Sequence, residues 1–360
     1  MCRFILLSPS IENFFISDYS LYIASLYLFT VGAALYSRFL NVNIGDRLAI
    51  TIASVTFVVA AFRPSYFPDV GTYEVMYDVA AVGEFSNALY WAQHGEPGFK
   101  VLSYLISLSG FGFSGFLLMM SCMSGLLLFL ISRISGVPFS YLWFTYFSFY
   151  FITRDLGVMR LSIASHLIVI FLVHNAFIWR VAAIIIASVS FQYTAFIVVF
   201  VKLISRFKVD FFSVSLLFLI SYFTSYYINF ESLEFLIPEK QAASYEGSHH
   251  FSPAQSVILP LSRNLIFACL IYFLLKNKIR DERFRVLVWA AFLSASFYIM
   301  ASDVLLLAQR FSAYFGAVVP LVLAFSMQRR SKRNSQFFLV LLMCFLNFVS
   351  LFYYNDFIWR

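Results

Sequence analysis

Apolar stretches near bilayer length follow one another along this chain, separated by short polar turns. In hydrocarbon every backbone N–H and C=O must find its partner inside the protein, so such stretches cross as helices. Hydrophobic residues make up 61% of the 360, charged residues 12%, and 46 are Phe, which excludes a soluble domain. The pattern predicts an all-α polytopic integral membrane protein, a single transmembrane domain over 1–360 with roughly 10–12 transmembrane helices. Spans are expected at roughly 19–37, 47–62, 113–132, 138–152, 158–177, 209–229, 257–275, 285–302, 309–327 and 336–354. The apolar run at the N-terminus lacks a small-residue cleavage motif, so no cleavable signal is expected there.

One further apolar stretch, AAIIIASVSFQYTAFIVVFVKL, has basic residues at both ends. Placing Arg180 and Lys202 on the same side requires two half-length helices, a broken hairpin near 181–204 meeting at Phe191–Gln192–Tyr193. The loops carrying Arg38/Arg47, Arg133, Arg180, Lys202–Lys208, Lys276–Arg285 and Arg329–Arg333 then share one face and hold 16 of the 25 basic residues. The positive-inside rule makes that face cytoplasmic. The opposite face receives the two larger loops, about 63–98 and 230–256, and most of the acids. The net charge of +7 is accordingly a matter of topology and implies no nucleic-acid partner.

On that outer face the arginines stand out. Arg160 and Arg263 sit inside apolar runs, VMRLSIASHLIVIFLVHNAF and VILPLSRNLIFACLIYFLL, and Arg310 opens RFSAYFGAVVPLVLAFSM. Each falls within about two turns of the outer helix end, roughly 10 Å at 1.5 Å per residue. Arg63 closes the second span at the same level, and Arg154 lies in the turn YFITRDLG. A guanidinium in hydrocarbon costs several kcal/mol and needs a polar partner. Its fork suits diphosphate, because it donates two parallel hydrogen bonds and stays charged. An arginine near a helix end also snorkels to the headgroups, and Arg154 beside Asp155 suits a local ion pair. The residues by themselves leave both readings open.

In the first outer loop, Tyr73, Tyr77, Ala81, Phe85, Leu89 and Trp91 trace one side of a helix, which suits a helix lying in the interface with its apolar side toward lipid. Asp69 and Glu96 bracket it, each beside a proline turn (Pro68 and Pro97). A carboxylate near an arginine cluster can act as general base for a sugar hydroxyl, or as a cap or counter-ion. Neither the five His nor the four Cys show metal-ligand spacing. His166 and His174 read as core histidines. No Gly-rich phosphate loop, Ser-His-Asp order or DxD-like motif appears, so no metal and no cofactor are expected.

The ordered pieces resemble the EpsG / Wzy-type polysaccharide polymerase family. They are a span ending in Arg63, PDVGTY with Asp69 and Tyr73, then Tyr77, EPGF from Glu96, MRLSIA with Arg160, FQYTAF at the hairpin tip, and QRFSAY with Arg310. The tip usually reads Phe-His in that family. Here position 192 is Gln, so no catalytic role is carried onto it.

The resemblance implies a metal-independent glycosyltransferase of the bacterial inner membrane whose active site faces the periplasm, so that 63–98 and 230–256 become periplasmic loops. It would polymerise O-antigen or capsule from oligosaccharide repeat units carried on undecaprenyl diphosphate. Arg160, Arg263 and Arg310 would hold the diphosphate and Arg63 the sugar or diphosphate. Tyr73, Tyr77 and Gln192 would be further substrate contacts, and Asp69 or Glu96 would activate the hydroxyl. Partners are the lipid-linked oligosaccharide and membrane lipids, and the Phe-rich surface leaves room for a chain-length regulator. A transporter or flippase of lipid-linked oligosaccharide would use the same arginines with the broken hairpin as its gate, but alternating access calls for comparable polar surfaces on both faces. A membrane acyltransferase would call for a His placed to activate a hydroxyl.

Overall fold

The computed structural model describes residues 19–67, 69–81, 96–227, 258–301, 305–328 and 334–354. Helix dominates and no strand occurs among the described residues. Six helices are long and apolar enough to cross a membrane by length and composition. These are α1 (Tyr19–Phe39), α2 (Val42–Ala61), α5 (Phe113–Ser135), α12 (Glu282–Met300), the run Ala308–Gln328, and α15 (Ser335–Tyr354) over most of its length. The run Ala308–Gln328 comprises most of α13 (Leu305–Gly316) and all of α14 (Val319–Gln328). Shorter apolar helices are α7 (Met159–Val173), α8 (Phe177–Ile186), α9 (Val199–Ile204), α10 (Phe211–Ser225) and α11 (Leu259–Leu275).

Between α2 and α5 lie two further helices, α3 (Val70–Ala81) and α4 (Pro97–Leu108). The span list has no counterpart to α4, which is only 12 residues long and carries Lys100. Helix α6 (Phe139–Tyr146) continues as a wider π-helical stretch, Phe147–Asp155, in which Leu156 N–H reaches the Phe151 carbonyl. The expected interruption near 181–204 is present. Helix α8 runs into a π turn at Ala187–Phe191, Gln192 is extended (φ −161°, ψ 106°), and a 3-10 turn at Tyr193–Val198 leads into α9.

Local chemistry sets the helix ends. A helix leaves its first four N–H groups without intrahelical partners, and three of the described turns supply side-chain acceptors. Asn41 Oδ1 accepts from Asn43 and Ile44 N–H at 2.9 and 3.2 Å. Asp210 accepts from Ser213 N–H at 2.8 Å, and Asp281 from Arg283 N–H at 3.0 Å. Backbone hydrogen bonds to Ser213 hold the exposed Asp210 carboxyl below its ordinary value. Gly136 ends α5 in the left-handed region at φ +70°, the conformation that L side chains avoid.

The helices form two compact units. One holds Met1–Leu167, Ile185–Tyr193 and Leu323–Arg360; the other holds Ile168–Ile184 and Thr194–Val322. In the first unit every residue of α6 is buried, the hydrogen-bonded hydroxyls of Ser140 and Thr145 included. It packs against α1, α2 and α5, and α15 lies along the π-helical stretch that follows it. Tyr27 of α1 stacks on Phe348 of α15 at 3.6 Å, and Asn347 donates to the Ser148 carbonyl at 2.8 Å. In the second unit α12 takes the central place, buried from Val286 through Tyr298 and packed by α9, α10, α11 and α13. Its neighbour α10 presents Phe211, Phe212, Tyr222 and Phe223 outward, as a helix does against lipid.

Replacing Gly136 by Ala forces a Cβ into a left-handed backbone and is expected to cost about 1 kcal/mol. Gly112→Ala, at φ −67° with no atom near the added Cβ, is expected to be neutral in the same thermal unfolding measurement in detergent.

Candidate functional site

The end of α2 delivers Arg63 into the first unit. Its side chain is buried, at 4% exposure, where a bare guanidinium is not tolerated. One N–H, from Nη1, donates to the backbone carbonyl of Asp155 at 2.6 Å. The remaining groups, Nε and Nη2, have no hydrogen-bond partner among the described residues. Tyr19, Tyr73, Asp155 and Asp69 all lie within electrostatic reach of the same charge.

The carbonyl that meets Arg63 is held in place by a buried polar knot. The Asp155 carboxylate accepts from Ser124 at 2.5 Å and Ser162 at 2.9 Å on one oxygen, and from Tyr146 at 2.5 Å on the other. His166 stands beside it, with Nδ1 3.5 Å from Ser124 Oγ and its ring 4.9 Å from the Tyr146 ring. Arg154 lies over the face of Tyr150 at 3.6 Å. Three hydroxyls thus satisfy a buried carboxylate that would otherwise be too costly to keep.

Arg160 lies in the first turn of α7, and its Nη1 meets Glu96 Oε2 at 2.7 Å. Glu96 immediately precedes α4, yet its side chain does not cap that helix. The guanidinium also faces two aromatic rings, Tyr73 at 5.8 Å and Phe99 at 5.3 Å, which are themselves 5.7 Å apart. Arg160 Nε has no partner among the described residues. Burial pushes the Tyr73 phenol above its ordinary value, against the neighbouring Arg160 charge, so its hydroxyl stays neutral, accepting from the Arg160 backbone N–H at 3.5 Å.

Gly98 connects this cluster to the interrupted helix. A Cβ on Gly98 would come within 2.6 Å of the Ser190 backbone, so only glycine lets α4 approach the π turn at Ala187–Phe191. Gln192 follows that turn and is itself buried. The structure therefore brings Arg63, Tyr73, Glu96 and Arg160 together in one unit and packs the turn that leads into Gln192 against α4, the helix that Glu96 precedes. Asp69 is exposed, but within electrostatic reach of both arginines. Its φ of +62° is one that Asp tolerates better than most residues.

The other predicted residues are placed differently. Tyr77 points one turn further along α3, donates to the Phe111 carbonyl, and packs on Phe113 and Phe116. Helix α3 buries Val70, Tyr73, Met76, Tyr77 and Ala80 against protein, chiefly α4, so that stripe does not face lipid. It passes through Ala80 and leaves Ala81 exposed, because Ala80 is the residue that continues the buried side from Tyr73 and Tyr77. Phe85, Leu89 and Trp91 lie outside the described residues. In the second unit Arg263 is exposed and Arg310 half-buried. Next to them Asn264 donates to Ser312 at 2.7 Å, and Ser312 meets Ser294 at 2.9 Å, a polar tie among α11, α12 and α13.

Sequence reasoning named the arginines but missed the Asp155 knot. Its signal was Ser162 and His166 four apart on an apolar helix, with Ser124 on another; nothing local says that they meet. No group of three metal-ligating side chains suited to a metal occurs among the described residues. The arrangement offers charge and N–H donors to an anion, with two buried carboxylates, Glu96 and Asp155, close by.

The family model described as EpsG family matches residues 47–359, which covers Arg63, Tyr73, Glu96, Asp155 and Arg160. No curated protein and no solved structure matches the chain.

Asp155→Asn turns one acceptor oxygen into an amide that faces hydroxyl donors. It is expected to destabilise the first unit by about 2 kcal/mol, the scale of a buried polar group left unsatisfied. Thermal unfolding in detergent checks this, with Thr51→Ala on the exposed side of α2 expected to change little.

Proposed function

Because the chain belongs to the EpsG family, a family of Wzy-type polysaccharide polymerase-like membrane proteins, we propose that it joins oligosaccharide repeat units carried on undecaprenyl diphosphate. The observation that carries this reading is the pair of guanidiniums, Arg63 and Arg160. Both retain N–H groups with no acceptor among the described residues, and Arg160 lies beside the Glu96 carboxylate and two aromatic rings. Charged donors fixed in a poorly solvated site need no reorganisation to receive the charge of a leaving diphosphate.

In the reaction a terminal hydroxyl oxygen of one unit bonds to the anomeric carbon of the growing chain. The bond from that carbon to the diphosphate oxygen breaks, and its electron pair leaves on the lipid diphosphate. The hydroxyl proton passes to a carboxylate, Glu96 or Asp69. Arg160 and Arg63 take the diphosphate charge, and Tyr73 and Phe99 pack against the Arg160 guanidinium. Arg263 and Arg310 are assigned to the diphosphate by sequence alone. The positive-inside pattern supports an outward-facing site, which in the bacterial inner membrane implied by the family would be the periplasmic face.

In a strain lacking this gene, surface polysaccharide is run on a gel with complementation by wild type, Arg160→Ala or Arg310→Ala, all at matched protein level. Wild type is expected to restore the long ladder. Arg160→Ala is expected to leave single units at the surface and to reduce polymer about a hundredfold, the order of losing one preorganised charge donor. Unchanged ladders from both variants would overturn the reading. Loss of even the single unit in the deletion strain would put a transporter in its place.

A further inference from the structure

The Glu96–Arg160 ion pair occupies the group that the proposed polymerase needs for its substrate. Its separation is 2.7 Å, with side-chain exposures of 8% for Glu96 and 16% for Arg160. A guanidinium so withdrawn from water is costly without a counter-charge, so a resident carboxylate keeps it in place. For the same reason that carboxylate competes with any incoming anion for the same N–H groups.

Two features of α4 suit this competition. Glu96 leaves its own helix uncapped to reach Arg160. One turn on, Lys100 lies within electrostatic reach of the Glu96 carboxylate and offers it a second cation. The backbone itself is held, because Gly98 is packed against Ser190. Motion is thereby left to the side chain of Glu96 and not to the helix it precedes.

Resting on the polymerase reading, we propose that Glu96 is a placeholder anion for the substrate diphosphate. It holds Arg160 until a diphosphate takes over the guanidinium, and then swings toward Lys100. Within the ion pair one carboxylate oxygen is committed to Arg160. Once displaced, the oxygen released by Arg160 is open to the acceptor hydroxyl, so arrival of the donor lipid readies the proton acceptor. A repeat unit without its diphosphate leaves Glu96 where it is, which protects the site from unproductive turnover.

The test is a titration of the purified full-length chain in detergent with inorganic diphosphate, followed by calorimetry, for wild type, Glu96→Gln, Glu96→Asp and Arg160→Ala. Glu96→Gln removes the competing charge and is expected to bind diphosphate about tenfold tighter than wild type, the scale of one charge-assisted hydrogen bond, while polymer in cells falls. Glu96→Asp, one methylene too short for the 2.7 Å contact, is expected to bind more tightly as well. It also serves if Glu96→Gln fails to fold, which a melting curve reports. Equal or weaker binding by the folded Glu96 variants would overturn the proposal, since a carboxylate that merely positions Arg160 helps the anion to bind. If Arg160→Ala binds as well as wild type, the diphosphate reading of the site fails as a whole, whatever Glu96 does.

Discussion

A guanidinium taken out of water has five N–H donors to satisfy, and the first unit is organised around that demand. Arg63 spends one donor on the Asp155 carbonyl and Arg160 one on Glu96. Each choice fixes something else. The Asp155 carbonyl is useful only because its carboxylate is pinned by Ser124, Ser162 and Tyr146. Glu96 is within reach only because Gly98 lets α4 approach the π turn closely. The arginines are therefore positioned by groups that are not themselves ligands, as buried charge requires.

Irregular helix supplies the geometry. In both π-helical stretches the hydrogen bonds run one residue further than in an α-helix, from Leu156 to Phe151 and from Gln192 to Ala187. The wider turn alters the register of the side chains that follow, a device common at functional sites. After the first stretch the chain presents Arg160; after the second it presents Gln192 in extended backbone. Both stretches lie in apolar surroundings, where backbone freed from an α-helix survives only when protein packs over it.

The sequence was legible where a single segment carries its own signal. Span positions followed from apolar length, and the break at Gln192 from basic residues at both ends of a stretch too long to ignore. Glu96 was singled out by its place before Pro97 and beside an arginine-rich level, and it is the carboxylate that meets Arg160. Helix α4 carries no span signal of its own, because 12 residues with a lysine fall short of the roughly 20 apolar residues a bilayer requires. The side of α3 that carries Tyr73 and Tyr77 was read correctly as apolar, but its neighbour was taken for lipid when it is protein. Periodicity reports that a face is buried and says nothing of what buries it.

By itself the sequence determined a helical membrane protein, its family-like order of motifs, and the identity of the charged residues worth watching. Those properties follow from composition, period and local turn chemistry, all of which act within a few residues. Only the tertiary structure decided that Arg63 and Arg160 share Tyr73 and Asp69, that three hydroxyls donate to the Asp155 carboxylate, and that Tyr77 turns to Phe111 while Tyr73 turns to Arg160. Such pairings join residues 87 and 64 positions apart. They are set by how helices pack, which no short stretch of sequence encodes.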